Sequence, residues 1–263
     1  MQQLPAGYKV VLMGSGNVAW HFGRALQKAG AEIIQVWSRN ETTARKLARS
    51  IKAEPVWGDS APDAGAQLYL IAVKDDAIGS VAAKIPKGSG LTLHTAGSIP
   101  VEILQDAKTK YTGVIWPVQS LTSGKRTNLS KVPMCIEAGS KAGKKAVKQI
   151  AAALSEHVFE LDWRQREAAH LAAVFANNFS NHLFALAEKL AAENKVPFDV
   201  LRPLIAETAE KVQHFSPALA QTGPAKRGDK QVMQKHIQLL NAHPELQKIY
   251  RLLSTSIQKQ NII

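Results

Sequence analysis

The sequence predicts a two-part α/β protein: a doubly wound, mainly parallel sheet covered by helices, followed by an all-α region. Three observations lead there. Short apolar runs alternate with helix-length segments as far as Leu161, the pattern of right-handed βαβ crossovers. A glycine-bounded loop joins the first apolar run to the first helical segment. From Trp163 onward the strand-like runs stop, and alanine- and leucine-rich helical patterns take over.

In order along the chain, a strand at residues 9–13 leads through the glycine loop into a helix at 18–29. A strand at 32–37, a helix at 41–50, a strand at 68–73 and a helix at 77–84 follow. Further strands are expected at 91–94, 113–116, 134–136 and 158–161. A long helix at 164–194 ends before Pro197, which cannot continue it. Helices at 198–215, 230–241 and 244–258 complete the chain. The expected domains are therefore 1–162 and 163–263.

The totals agree with two ordinary domains. The chain has 263 residues, 45% apolar and 21% charged, enough to build cores without metals or disulfides. The single cysteine, Cys135, excludes an internal disulfide and fits a reducing compartment. No run reaches the ~20 apolar residues that span a bilayer, so no membrane partner is expected. The N-terminus reads as the first strand rather than an export signal, and the expected location is cytoplasmic.

The formal charge of +12 favours anionic ligands. It concentrates at residues 123–148, where Lys125, Arg126, Lys131, Lys141, Lys144, Lys145 and Lys148 stand against Glu137 alone. No aromatic residue interleaves with them, so base stacking is missing and nucleic acid is disfavoured. A solvated basic face is the expected role.

The loop Gly14-Ser15-Gly16-Asn17-Val18-Ala19 has the form GxGxxA between a strand and a helix, the context a dinucleotide loop requires. Gly14 permits the turn, Gly16 leaves room for a pyrophosphate, and Ala19 lets the helix pack closely on the strand. The free N–H groups and positive dipole end of the helix face the phosphates. This is the signature of a Rossmann domain. The next strand ends in Ser38-Arg39-Asn40, where an NAD-specific site would carry an acid on the ribose 2′-hydroxyl. Arg39 instead suits a 2′-phosphate, with Ser38 and Asn40 as further donors, so NADP is the expected cofactor. Ala72, Val73 and Asp76 at the next strand end are assigned to the same site. Asp75 and Asp76 are also candidates to cap the helix that follows.

Polar residues beyond the needs of the fold cluster in four places. His94, Thr95 and Ser98 follow a strand on the ligand edge, Thr95 being assigned to the cofactor and Ser98 to the substrate. Gln119 and Ser120 follow the next run. His170, Asn177 and Asn181 fall on one stripe of the long helix at about 100° per residue. That stripe is either a substrate-facing wall or a hydrogen-bonded seam between helices. Thr222, Arg227 and Asp229 lie in a glycine- and proline-shaped loop, where Asp229 can also cap the next helix. His94 and His170, with Asn177 and Asn181, are the candidate catalytic residues, and no metal site is expected.

The strings GSGNVA, SRN, HTAGS, WPVQS, HLAAVFANNFSNHL and TGPAKRGD, in that order, resemble an uncharacterised bacterial family over nearly the whole chain. Its members are candidate NADP oxidoreductases that pair a Rossmann-like domain with a helical one. The arrangement is more distantly similar to pyrroline-5-carboxylate reductase, the 6-phosphogluconate and β-hydroxyacid dehydrogenases, and deazaflavin-dependent NADP reductases. The resemblance implies a homodimer built by the helical domains and an active site between the domains. The dehydrogenases' Lys-x-x-x-Asn pair is replaced here by His170 and Val174, so their lysine mechanism does not carry over. The expectation is hydride transfer to or from a small polar carbonyl or imine compound. The alternative is a non-catalytic NADP-binding sensor.

Overall fold

The computed structural model describes residues 2–88 and 90–260. An eight-stranded sheet has the order β3-β2-β1-β4-β5-β6-β7-β8, with β1 Tyr8–Met13, β2 Ala31–Ser38, β3 Glu54–Trp57, β4 Leu68–Ile71, β5 Leu91–His94, β6 Tyr111–Pro117, β7 Met134–Ala138 and β8 Val158–Glu160. Every pairing is parallel except β6 with β7. The strand order reverses between β1 and β4, which opens a ligand crevice at the carboxyl ends of those strands. The mainly parallel, doubly wound sheet is the one the sequence predicts. Strand β3 and a helix at Lys144–Leu154 lie outside its expected elements.

Alternate residues of each strand serve opposite faces. On one face Val10 and Leu12 of β1 pack with Phe22 and Leu26 of α1 (Asn17–Lys28), Leu47 of α2 (Glu41–Ser50) and Ile150 of α4 (Lys144–Leu154). On the other face Val11 and Met13 pack with Ile78 and Val81 of α3 (Ile78–Ala82). All of these are buried, each such large side chain contributing about 1.5–3 kcal/mol.

Beyond the sheet come α5 (Trp163–Ala173), a π-helical stretch (Val174–Phe179), α6 (Ser180–Glu193), α7 (Arg202–His214), α8 (Pro217–Ala220), α9 (Pro224–Arg227), α10 (Lys230–Leu239) and α11 (Pro244–Gln260). A capping box starts α5: the Asp162 carboxylate accepts from the Gln165 N–H, and the Gln165 side chain accepts from the Asp162 N–H. The chain forms two compact units, 1–178 and 179–263. Composition changes at 161–164, but α5 is fastened to the sheet unit by Arg166. Its guanidinium is fully buried and donates to the Ile99 carbonyl at 2.8 Å and to Glu137 at 2.7 Å.

Within the second unit, only Ala225 and Leu240 are buried among the described residues. Local bonds order it. His236 Nδ1 and the Tyr250 hydroxyl lie 2.9 Å apart, and the Gln247 amide donates to the Ile237 carbonyl. No helix among the described residues is long and apolar enough to cross a membrane.

Candidate functional site

The glycine loop forms the floor of a cavity of about 350 Å³ at the reversal of strand order. Gly14, Ser15, Gly16, Asn17 and Val18 line it, together with Ser38 and Arg39 from the end of β2, Ala72, Val73 and Lys74 after β4, and Thr95 after β5. Gly14 has φ +133°, and a Cβ there would collide with the Ala72 carbonyl, so only glycine makes this turn. A Cβ on Gly16 would meet no protein atom within 4 Å, because that side of the loop opens into the cavity. Helix α1 begins here without a side-chain cap and without an acid in its first turn. Its terminal N–H groups and dipole are thus left for an anion.

Neither the Arg39 nor the Lys74 side chain forms a hydrogen bond or ion pair with the described residues, and both residues are exposed at the cavity. No acidic residue lines it. The Ser38 hydroxyl is buried, accepts from Ser15 Oγ at 2.9 Å and lies 3.2 Å from Thr43 Oγ1, a small hydroxyl cluster that sets the cavity wall. The residues present fit a dinucleotide: a helix start and a side-chain-free glycine for the pyrophosphate, and an unpaired arginine where a 2′-phosphate would lie.

A second cavity, of about 450 Å³, lies beside Trp116 and is lined by Gln119, Ser120, His170, Val174, Asn177 and Asn178 among others. Three segments distant in sequence meet at Gly97. A Cβ on Gly97 would stand 2.7 Å from Trp116 Cε2 and 2.9 Å from His170 Nδ1. The His170 and Trp116 rings pack edge to face at 5.6 Å. His170 is half-buried and its ring nitrogens hold no hydrogen bond with described residues, so the imidazole is available to a ligand. Arg166, one helical turn earlier, fixes this placement by binding the carbonyls on either side of Ser98.

His94 does not serve this site. It is fully buried, its Nδ1 accepts the Ala96 N–H at 3.2 Å, and its Nε2 makes no hydrogen bond. Burial, reinforced by the nearby Arg166 charge, pushes its pKa down to about 3, so the ring stays neutral and supports the turn. The proton-transfer role expected of His94 is therefore withdrawn.

Several other expected residues are not among those lining either cavity. Asn40 spends its side chain capping α2, accepting from the Thr43 N–H, while Ala19 is fully buried where the helix packs on the strand, the role expected of it. Asp76 lies outside the cavity wall, and neither it nor Asp75 caps the turn that follows. Ser98 donates to Asp75 at 3.2 Å instead of facing either cavity. The stripe expected of the long helix is interrupted at Val174–Phe179, where the wider π turn shifts the phase of whatever follows. His170 and Asn177 share the second cavity, whereas Asn181 belongs to the second unit and lines a different hollow with Phe184 and Arg202. Thr222, Arg227 and Asp229 are also in the second unit, where Asp229 caps α10 by accepting from the Val232 N–H.

Sequence reasoning missed Lys74, Gly97, Trp116 and Arg166. Lys74 carried a signal, its place just past a strand end on the ligand edge. The burial of Arg166 carried none.

Two family descriptions match the chain: "NADP oxidoreductase coenzyme F420-dependent" over residues 9–92 and "Domain of unknown function (DUF2520)" over residues 132–257. A crystal structure of a candidate NADP oxidoreductase from Bacteroides fragilis is 39% identical, with 96% of this chain and 98% of that one covered and a TM-score of 0.88. A protein from Thermotoga maritima is 22% identical over 95% of this chain and 98% of that one, with a TM-score of 0.80. A 1-pyrroline-5-carboxylate reductase from Streptococcus pyogenes shares the fold at 11% identity, with coverages of 95% and 98% and a TM-score of 0.62. No curated protein matches the chain.

Proposed function

The chain belongs to the family that joins an NADP oxidoreductase domain to the DUF2520 domain, and we propose that it exchanges hydride between NADP(H) and a small polar carbonyl or imine compound. The turn after β5 carries this reading. Thr95 lines the dinucleotide cavity, and Gly97, two residues on, abuts the Trp116 and His170 that wall the second cavity. A nicotinamide bound in the first cavity would supply or accept the hydride.

The chain's own residues do the rest. The α1 N-terminus and Gly16 hold the pyrophosphate, and Arg39 pairs with the 2′-phosphate. His170 gives a proton to the substrate's oxygen or nitrogen, or takes one in the reverse direction. Trp116 holds the imidazole edge-on and keeps water from one side of it. Gln119 and Asn177 orient polar substituents from the cavity wall. An imine is the substrate named for the Streptococcus pyogenes neighbour, and it suits a single proton donor beside a hydride source. The exposed leucines of the second unit (Leu204, Leu219 and Leu252, 62–81% exposed) support a homodimer, which would bury them.

The test is titration with NADPH and NADH followed by turnover on a panel of cyclic imines and 2-oxo acids. NADPH should bind tighter, and Arg39→Ala should erase the preference. Gly16→Val should leave the fold intact and abolish both, because its side chain enters only the open cavity. His170→Asn should keep NADPH affinity and lower kcat by about 10²–10⁴-fold. Tight NADPH binding with no oxidation of any compound would favour the sensor reading instead.

A further inference from the structure

We propose that the hollow between α1 and residues 126–130 is a second ligand site, separate from the dinucleotide cavity, for a small amphiphilic anion. Its ligand would be a carboxylate or phosphate ester carrying a compact hydrocarbon or aryl body. The hollow holds about 390 Å³, within the range of small-molecule pockets and too small for a nucleic-acid strand. It shares no lining residue with the dinucleotide cavity.

The floor is apolar, built from Leu129, Ala153 and Leu154, all buried. The rim is cationic: Arg24, Lys28 and Arg126, with no acid among the lining residues. These three cations form no ion pair among the described residues. Their neighbours do: Lys131 bonds Glu156, while Lys144 and Lys148 both bond Glu160. Of the basic run at 123–148, Lys131, Lys144 and Lys148 are neutralised, and Arg126 faces this hollow together with Arg24 and Lys28 of α1. Three like charges around one concavity repel each other, and an anion placed among them relieves that repulsion.

Two further features point to a ligand. The Arg24 guanidinium lies 4.5 Å from the centroid of the Trp20 ring, a stacked arrangement that holds its donors in a plane. Ser130 also lines the hollow, and its hydroxyl, which is not sealed from solvent, makes no hydrogen bond among the described residues. A hydroxyl beside unpaired cations suits one oxygen of a carboxylate or phosphate, and the apolar floor suits the body attached to it.

Calorimetric titration of the full chain with phenyl phosphate, inorganic phosphate and benzyl alcohol tests the site. Phenyl phosphate should bind at least tenfold tighter than either of the others, since each offers only half of the recognition. Arg24→Gln and Arg126→Gln, both at exposed positions, should each weaken it tenfold or more. Arg39→Ala and Lys74→Ala, in the dinucleotide cavity, should leave it unchanged. Phenylacetate in place of phenyl phosphate tells whether the preferred head is carboxylate or phosphate. Equal affinity for inorganic phosphate, indifference to the Arg24 and Arg126 changes, or loss in the Arg39 and Lys74 variants would each overturn the proposal. None of these readouts depends on NADP binding or turnover.

Discussion

The sheet unit buries both faces of its sheet, whereas the helical unit buries almost nothing. In the first, most strand positions and the inner faces of α1, α2 and α4 are sealed from water. In the second, Leu204, Leu219, Leu239 and Leu252 stand 62–81% exposed, and only Ala225 and Leu240 are buried among the described residues. Leucines left in water at that density do not repay the entropy of ordering the helices that carry them. The contrast separates two jobs. The sheet unit has its own core and holds both proposed reaction cavities, while the proposed homodimer would supply the core that the helical unit lacks.

The largest expected effect probes the seam that ties α5 to the sheet unit. Burial raises the Glu137 pKa and lowers that of Arg166, each outweighing the attraction of the partner charge. The pair thus adds little by itself, but halving it leaves a charge and two carbonyl groups without partners. Arg166→Met should cost the sheet unit about 3–5 kcal/mol in urea unfolding. A cost below about 1 kcal/mol would mean that α5 is not anchored there.

A somewhat smaller effect should come from acid. The folded pKa of His94, about 3, lies well below its ordinary value of 6.5. Between those values the unfolded chain binds the proton and the folded chain does not. Stability present above pH 6.5 is therefore lost as pH falls toward 3, amounting to roughly 3 kcal/mol by pH 4. His94→Asn keeps an acceptor for the Ala96 N–H and cannot titrate, so its unfolding free energy should fall less steeply over that range. Parallel pH profiles for the two proteins would show that the buried imidazole is not the cause.

The smallest effect on the sheet unit should follow from the helical side. A Leu204→Asp, Leu219→Asp, Leu252→Asp variant should change the sheet unit's unfolding by no more than about 0.5 kcal/mol. Light scattering should meanwhile fall from about twice the 28.5 kDa chain mass to a single chain. A variant that stays dimeric, or a wild-type chain that is already monomeric, would erase the division of labour.

The contrast also explains what the sequence could show. The glycine loop, the arginine at the end of β2 and the βα rhythm were legible because they are local: spacing and residue type set them within a dozen positions. Strand β3 escaped because EPVW is short and carries a proline, and α4 because its lysines hid an apolar face that includes Val147, Ile150 and Leu154. The site was only partly legible. His170 stood out as an imidazole on an alanine-rich helix, and its neighbourhood with Trp116 depends on a crossing of segments that no spacing encodes. His94 misled because a strand end on the ligand edge fixes a residue's position but not whether its side chain turns toward solvent or core. The even polar stripe from His170 to Asn181 is broken by a π turn, which cannot be foreseen from a pattern that assumes constant pitch.

Gly97 carries a last consequence, for how this protein can change over generations. Its backbone lies outside the left-handed region, so alanine would be acceptable to the main chain and is refused only by the two rings beside it. A lineage that acquired alanine there could regain its fold only by making room at both Trp116 and His170. Such a repair would remove a wall and displace the proton donor of the proposed reaction. The compensating routes open to stability are thus closed to catalysis, and the three positions must be inherited together. In a library randomised at 97, 116 and 170, selection for folding alone should return many combinations, and selection for turnover should return glycine, tryptophan and histidine as one set.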